Sequence, residues 1–208
     1  MDANLPIWTP LSVDISSSNL SSFQEFVTNK TGHKFENYKA FHYWSVNELS
    51  DFWECIALFF KINFSKPYNH ILRSKKPFYK AEWFGNSMIS YVKHIERNFK
   101  TNENVILYRN EKQEDKCITW NSLFLKASEI KNELLNEGVK KGDCVVGYLS
   151  NHPVTIAAFL ATNSIGAVWS CCSPDFGTES VISRLGQLKP TVLIAIREYS
   201  YNGKKYSL

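Results

Sequence analysis

Residues 144–177 read CVVGYLSNHPVTIAAFLATNSIGAVWSCCSPDFG, and from Cys144 to Pro174 the stretch holds no Asp, Glu, Lys or Arg. One meaning of so long an uncharged run is a membrane span. Asn151-His152-Pro153, Asn163-Ser164 and Gly166 argue against it, because they set polar and helix-breaking groups where hydrocarbon offers them no partner. The run divides better at those residues: a strand over 145–149, a helix over 153–165 with Asn151 as N-cap, and a strand over 167–172. Parallel strands covered on both faces read as such unbroken apolar segments.

Outward from this unit the same alternation continues. A helix is expected over 178–188 and a final strand over 191–196, followed by a short tail. Upstream, a strand over 105–108, a charged turn over 110–115 and a partner over 117–119 predict a hairpin. A helix over 120–137 follows, capped by Thr119, stopped by Gly138, with Leu123, Ala127, Ile130 and Leu134 inward. Strands alternating with helices of this length imply right-handed crossovers and a mostly parallel sheet.

Before Arg97 the pattern changes to helices and aromatic-rich loops. Ser22-Phe23-Gln24-Glu25 and Ser45-Val46-Asn47-Glu48 fit the capping box, so each is expected to open a helix. Leu49, Phe52, Trp53, Ile56 and Phe60 then recur at helical spacing. Residues 65–80 read as an extended connection, and a third helix is expected after Gly85-Asn86-Ser87. The fold class is therefore α/β: a helical amino-terminal region, 1–97, then an incomplete, mostly parallel sheet with crossover helices over 98–208.

The 208 residues include 44% hydrophobic side chains, a globular composition with a sizeable core. The excess of 24 basic over 20 acidic residues gives +4, and the basic residues are scattered, which gives no support for nucleic-acid or anionic-membrane partners. Cys55, Cys117, Cys144, Cys171 and Cys172 are odd in number and lack metal-ligand spacing, which points to a reducing, intracellular compartment. Residues 1–6 show no basic segment followed by an apolar one, so no secretory signal is expected. The five histidines are far apart and form no metal motif.

In an open parallel sheet, ligands sit beyond the carboxyl ends of the strands. Ser173-Pro174-Asp175-Phe176-Gly177 occupies that kind of position, and so does Tyr199-Ser200-Tyr201-Asn202-Gly203-Lys204-Lys205 after the last strand. The first is read either as a ligand loop or as a plain capped turn. The second is read either as a phosphate-binding lysine pair or as a solvated turn. Cys171-Cys172 and the six tryptophans are read as packing. Gly138-Val139-Lys140-Lys141-Gly142-Asp143 lacks P-loop spacing and leads into a strand instead of out of one.

These residues resemble the adenylate-forming acyl-CoA synthetases, and most closely their acetoacetyl-CoA synthetase (acetoacetate–CoA ligase) branch. The likeness rests on Phe41-His42-Tyr43-Trp44-Ser45-Val46 with Phe52-Trp53, on Ala81-Glu82-Trp83-Phe84, and on the segment 138–143. Above all it rests on Ile165-Gly166-Ala167-Val168-Trp169-Ser170 leading into Ser-Pro-Asp-Phe-Gly at 173–177. Tyr91-Val92-Lys93-His94 and Ser183-Arg184-Leu185 depart from the family's usual Tyr-Ala-Glu-Asn and Asp-Arg-Phe.

The resemblance implies ATP, magnesium and CoA as cofactors, a short acid such as acetoacetate as substrate, and a cytosolic (cytoplasmic) setting in ketone-body use for lipid synthesis. It also implies that this chain corresponds to the amino-terminal region and the start of the AMP-binding domain. The family's phosphate loop, adenine motifs and catalytic lysine come after this region. No catalytic residue is therefore carried over, and Ser173, Pro174, Asp175 and Lys204 are implied as part of a CoA nucleotide site. A synthetase for another short acid, and a truncated, non-catalytic CoA- or partner-binding protein, stay open as alternatives.

Overall fold

The computed structural model describes residues 8–111 and 114–207, so the reading of residues 1–6 and part of the 110–115 turn lies outside the described residues. The chain divides into two compact units, one up to Ile89 and one from Ser90.

The first unit contains α1 (Ser12–Ser16), α2 (Asn19–Thr31), α3 (Tyr38–Asn47) and α4 (Leu49–Phe59), then β1 (Phe64–Lys66), β2 (Leu72–Arg73), a 3-10 turn (Phe78–Lys80), β3 (Glu82–Trp83) and β4 (Met88–Ile89). Neither expected capping box opens a helix. Ser18 caps α2 by accepting from the Ser21 N–H, and Asn37 caps α3 by accepting from the Ala40 N–H, while α4 starts at Glu48 with no side-chain cap. Once those earlier residues have started the helices, Ser22 and Ser45 lie inside them. Their hydroxyls donate back to the Ser18 and His42 carbonyls at 3.2 and 2.8 Å, as helical serines do. The expected extended connection is itself structured, because β1 pairs with β4 and β2 with β3, both antiparallel.

Phe23, Val27, Phe41, Trp44 and Cys55 form the core of this unit. Phe23 meets Phe41, Phe52 and Phe59 edge-on with ring centroids 5.1–6.1 Å apart, the geometry that ring quadrupoles favour. Burial pushes the Cys55 thiol up, so it stays protonated and packs as a small apolar group. Trp53, by contrast, is exposed.

On the β2–β3 hairpin, Glu82 collects Lys75 at 2.8 Å, Arg73 at 3.1 Å and His70 at 3.6 Å. The hydrogen bond and charge of Lys75, then Arg73 and His70, hold the Glu82 carboxyl below the usual range. Its contribution is therefore present above the unfolded-state value of about 4.3 and is lost as pH falls through the lower folded value. Wild type should melt higher than Glu82→Gln at pH 7, and the two midpoints should converge between pH 4 and pH 2. A gap of constant size down to pH 2 would contradict this assignment.

The second unit starts with α5 (Tyr91–Glu96), followed by the hairpin β5 (Asn104–Arg109) and β6 (Asp115–Thr119). The helix expected after Gly85-Asn86-Ser87 is thus delayed: β4 takes up Ile89, and Ser90 caps α5 through its side chain. Next come α6 (Trp120–Asn136), β7 (Cys144–Tyr148), α7 (Pro153–Ile165), β8 (Val168–Cys172), α8 (Thr178–Gly186) and β9 (Val192–Ala195). Thr119 caps α6 by accepting from the Ser122 N–H. His152, not Asn151, caps α7. Pro153 takes the first helical position, which makes the residue before it the cap, and the His152 Nδ1 accepts from the Val154 N–H at 3.3 Å.

The three strands form a parallel sheet in the order β8-β7-β9. Val145 and Val146 in the centre point to opposite faces and are both fully buried. Val145 joins Leu134, Val139, Ala161 and Ala167, contributed by α6, α7 and their loops. Val146 joins Cys172 and Leu185 under α8. Gly147 lets Trp169 cross the neighbouring strand, since a Cβ there would come 2.8 Å from the indole. Only β7 is covered on both faces. The flanking strands are half exposed, with Val168 and Leu193 open to solvent, so Cys171 lies exposed and the adjacent pair is not buried as expected. Among the described residues no helix is long and apolar enough to cross a membrane.

The tail expected after the last strand is itself structured: β10 (Glu198–Tyr201) and β11 (Lys204–Ser207) form an antiparallel hairpin. Its two turn residues, Asn202 and Gly203, have φ of 51° and 72°, the left-handed conformations that a tight two-residue hairpin needs and that Asn-Gly accepts.

Candidate functional site

Tyr148 ends the central strand and pairs with Cys172 on one side and Ala195 on the other, which places it at the carboxyl edge of the sheet. Its phenolic oxygen lies 2.6 Å from the Phe176 carbonyl and 3.0 Å from the Pro174 carbonyl, so one proton is shared between two acceptors of the 173–177 loop. The Phe176 N–H donates to the Ser173 carbonyl at 3.3 Å and closes the turn. On the Phe176 ring sits the Arg184 guanidinium from α8, 4.7 Å from the centroid, a cation–π contact. Pro174 is buried, while Ser173 and Asp175 are exposed. Of the three loop residues singled out from sequence, Pro174 therefore shapes the loop, and Ser173 and Asp175 present side chains.

The β10–β11 hairpin brings the fourth residue into view. Residues two apart on a strand share a face, as do directly opposed partners. The pairings Tyr199 with Tyr206 and Tyr201 with Lys204 therefore set these four side chains on one face. The Tyr199 and Tyr206 rings stack there at 5.2 Å and 19°. Partial burial, with the Tyr148 phenol and the Asp175 carboxylate as neighbours, pushes the Tyr199 phenol up.

Lys205 belongs to the opposite face and pairs with Glu198 at 3.3 Å. Lys204, on the face it shares with Tyr199 and Tyr206, makes no ion pair among the described residues. The turn between β10 and β11 is held by Glu111, whose carboxylate accepts from the Asn202 and Gly203 N–H groups at 2.5 and 3.2 Å. The two lysines, indistinguishable in sequence, thus have different surroundings.

Sequence reasoning missed Tyr148, the Tyr199–Tyr206 stack and the Arg184–Phe176 contact. For Tyr148 a signal existed. It is the one hydroxyl in the apolar segment Val145-Val146-Gly147-Tyr148-Leu149, and a packed phenol needs a partner for its proton. Apolar grooves lie elsewhere, one of about 350 Å³ in the first unit against Phe23, Phe41 and Phe52, another of about 560 Å³ between α6 and β9. The first is walled mainly by aromatic and aliphatic side chains, and the second is rimmed by Lys126, Glu129, Glu133 and Glu137 of α6.

A parallel sheet with crossover helices and a fixed loop at its carboxyl edge is the architecture of nucleotide-handling α/β enzymes. Residues 95–206 match the family described as AMP-binding enzyme, and the chain belongs to that family. It is similar to the acetoacetyl-coenzyme A synthetase of Rhizobium meliloti (strain 1021), with 32% identity over 99% of this chain and 31% of that protein. It is 36% identical to the acetoacetyl-CoA synthetase of Macaca fascicularis over 97% of this chain and 30% of the relative. The solved acetoacetyl-CoA synthetase from Streptomyces lividans superposes with a TM-score of 0.91 at 35% identity, over 98% of this chain and 32% of that one. The chain spans less than a third of the length of these relatives.

Proposed function

We propose that this chain forms part of a cytosolic acetoacetate–CoA ligase, which converts ATP, acetoacetate and CoA to acetoacetyl-CoA, AMP and diphosphate. In such a reaction the acid's carboxylate is first joined to AMP. The AMP then leaves when the CoA thiol attacks the acyl carbon. The family, the fold and the names of the relatives support this reading. Within it, Ser173, Asp175 and Lys204 serve the nucleotide end of CoA, with Pro174 shaping the loop. Acetoacetate and ATP are assigned no residues here. Among the described residues no three His, Cys, Asp or Glu side chains converge to hold a metal ion.

The observation that carries the reading is Lys204 on the strand that follows the carboxyl edge, sharing a hairpin face with Tyr199 and making no ion pair among the described residues. A lysine ammonium is a compact charge suited to a phosphate. In the protein that contains this chain, Lys204→Ala should weaken CoA binding by about 1–2 kcal/mol, the worth of one charge-assisted hydrogen bond. Lys205→Ala, on the opposite face, should leave it unchanged. Isothermal titration with CoA and with CoA lacking its ribose phosphate checks both. Equal affinities for wild type and Lys204→Ala would reduce Lys204 to a solvated turn residue and remove the support for this site.

A further inference from the structure

We infer that Tyr148 is a positioning residue for CoA: its phenol holds the 173–177 loop in its ligand-ready shape, and the Arg184–Phe176 contact braces the loop from the side of α8. This inference rests on the CoA reading proposed above. Three observations carry it. First, the Tyr148 phenol meets carbonyls 26 and 28 positions further along the chain, at 3.0 and 2.6 Å, one on each side of Asp175. The backbone of Asp175 is therefore pinned at both ends while its side chain stays exposed.

Second, the anchor itself does not move freely. Tyr148 sits in the central strand, hydrogen-bonded on both sides, and its ring packs with Phe176, Val181 and Leu188 around Val146, Cys172 and Leu185. Its carbonyl also accepts from the Ile196 N–H at 3.3 Å, just before the hairpin that carries Lys204. One residue thus links the ends of all three strands. Third, the Arg184 guanidinium over Phe176 adds a restraint from a different element, so the loop is clamped from the sheet and from the helix. A loop held in advance in its bound form spares the ordering cost that a mobile loop would charge against affinity.

The phenol is the separable part of this device. Tyr148→Phe keeps the ring in its packing and removes only the hydroxyl, which leaves the buried Pro174 without its donor. The expected result for the protein containing this chain is a CoA dissociation constant raised about fivefold, the effect of one ordinary hydrogen bond. Amide exchange should accelerate at residues 173–177 and stay unchanged at the β7 and α7 amides. A structural defect would instead loosen β7 and α7 as well. Phe176→Leu removes the brace without touching a charge. It should raise the dissociation constant in the same direction, which keeps the inference open to refutation if Tyr148→Phe fails to fold.

CoA affinity unchanged in both variants overturns the inference, whatever the loop exchange does. Failure of the underlying reading looks different. Wild type then shows no saturable CoA binding, and the ligand role of Tyr148 falls with it, while faster exchange at 173–177 in Tyr148→Phe still reports the clamp.

Discussion

Incubated with ATP, magnesium, acetoacetate and CoA, the 208-residue chain by itself is expected to release no AMP above a heat-killed control. Joining a carboxylate to AMP requires stabilisation of charge that builds up on the transferring phosphoryl oxygens. Fixed backbone amides, cations and metal ions supply it, and losing them removes many orders of magnitude in rate. This sequence has no Gly-x-x-x-x-Gly-Lys-Ser/Thr string, Lys205 is paired with Glu198, and the remaining lysine and carboxylate after the strand ends are Lys204 and Asp175. Both are assigned here to the CoA side. The chain also spans under a third of the acetoacetyl-CoA synthetases it resembles. Acetoacetyl-adenylate detected by mass spectrometry with the purified chain would refute this and place adenylation chemistry inside these residues.

The same isolated chain is expected to self-associate. β8 and β9 are both edges of the three-stranded sheet, with Val168 47% and Leu193 55% exposed. Beside β9 runs the apolar groove formed with α6, where Ile130, Leu134, Val192 and Ile194 meet. An apolar parallel edge with free N–H and C=O groups is a template for pairing with another chain. Each 100 Å² of such surface left in water forgoes about 2.5 kcal/mol at roughly 25 cal/mol per Å², a sizeable share of the stability of a typical domain. Light scattering behind a sizing column should show mass rising with concentration. Leu193→Lys, which puts a charge on the edge, should shift the population toward monomer. A monomer peak at every concentration, with a cooperative thermal transition above about 50 °C as complete domains show, would overturn the expectation.

Much of the second unit was legible because its cues are local. The charge-free run broken at Pro153 and Gly166 marks strand, helix and strand within a few residues of their observed ends. Thr119 and the Asn202-Gly203 turn act through φ preferences and hydrogen bonds to near neighbours. The caps misjudged from sequence failed for an equally local reason. Ser22, Ser45 and Asn151 each fit a cap, but Ser18, Asn37 and the position fixed by Pro153 had started the helix elsewhere.

By itself, then, the sequence determined the α/β class, the parallel βαβ unit and the placing of Ser173, Asp175 and Lys204 near strand ends, because hydrophobic periodicity and turn chemistry are properties of neighbouring residues. Tertiary structure alone decided which lysine is open. Lys204 and Lys205 differ by one position, and in a strand one position moves a side chain to the other face, a choice set by the pairing register. It alone decided the half-exposed state of β8 and β9, which depends on what lies beside each strand, and the grip of Tyr148 on Pro174 and Phe176. A hydrogen bond between groups 26 and 28 positions apart in sequence leaves no periodic trace. It exists only because the parallel register brings the end of β7 under the loop that follows β8.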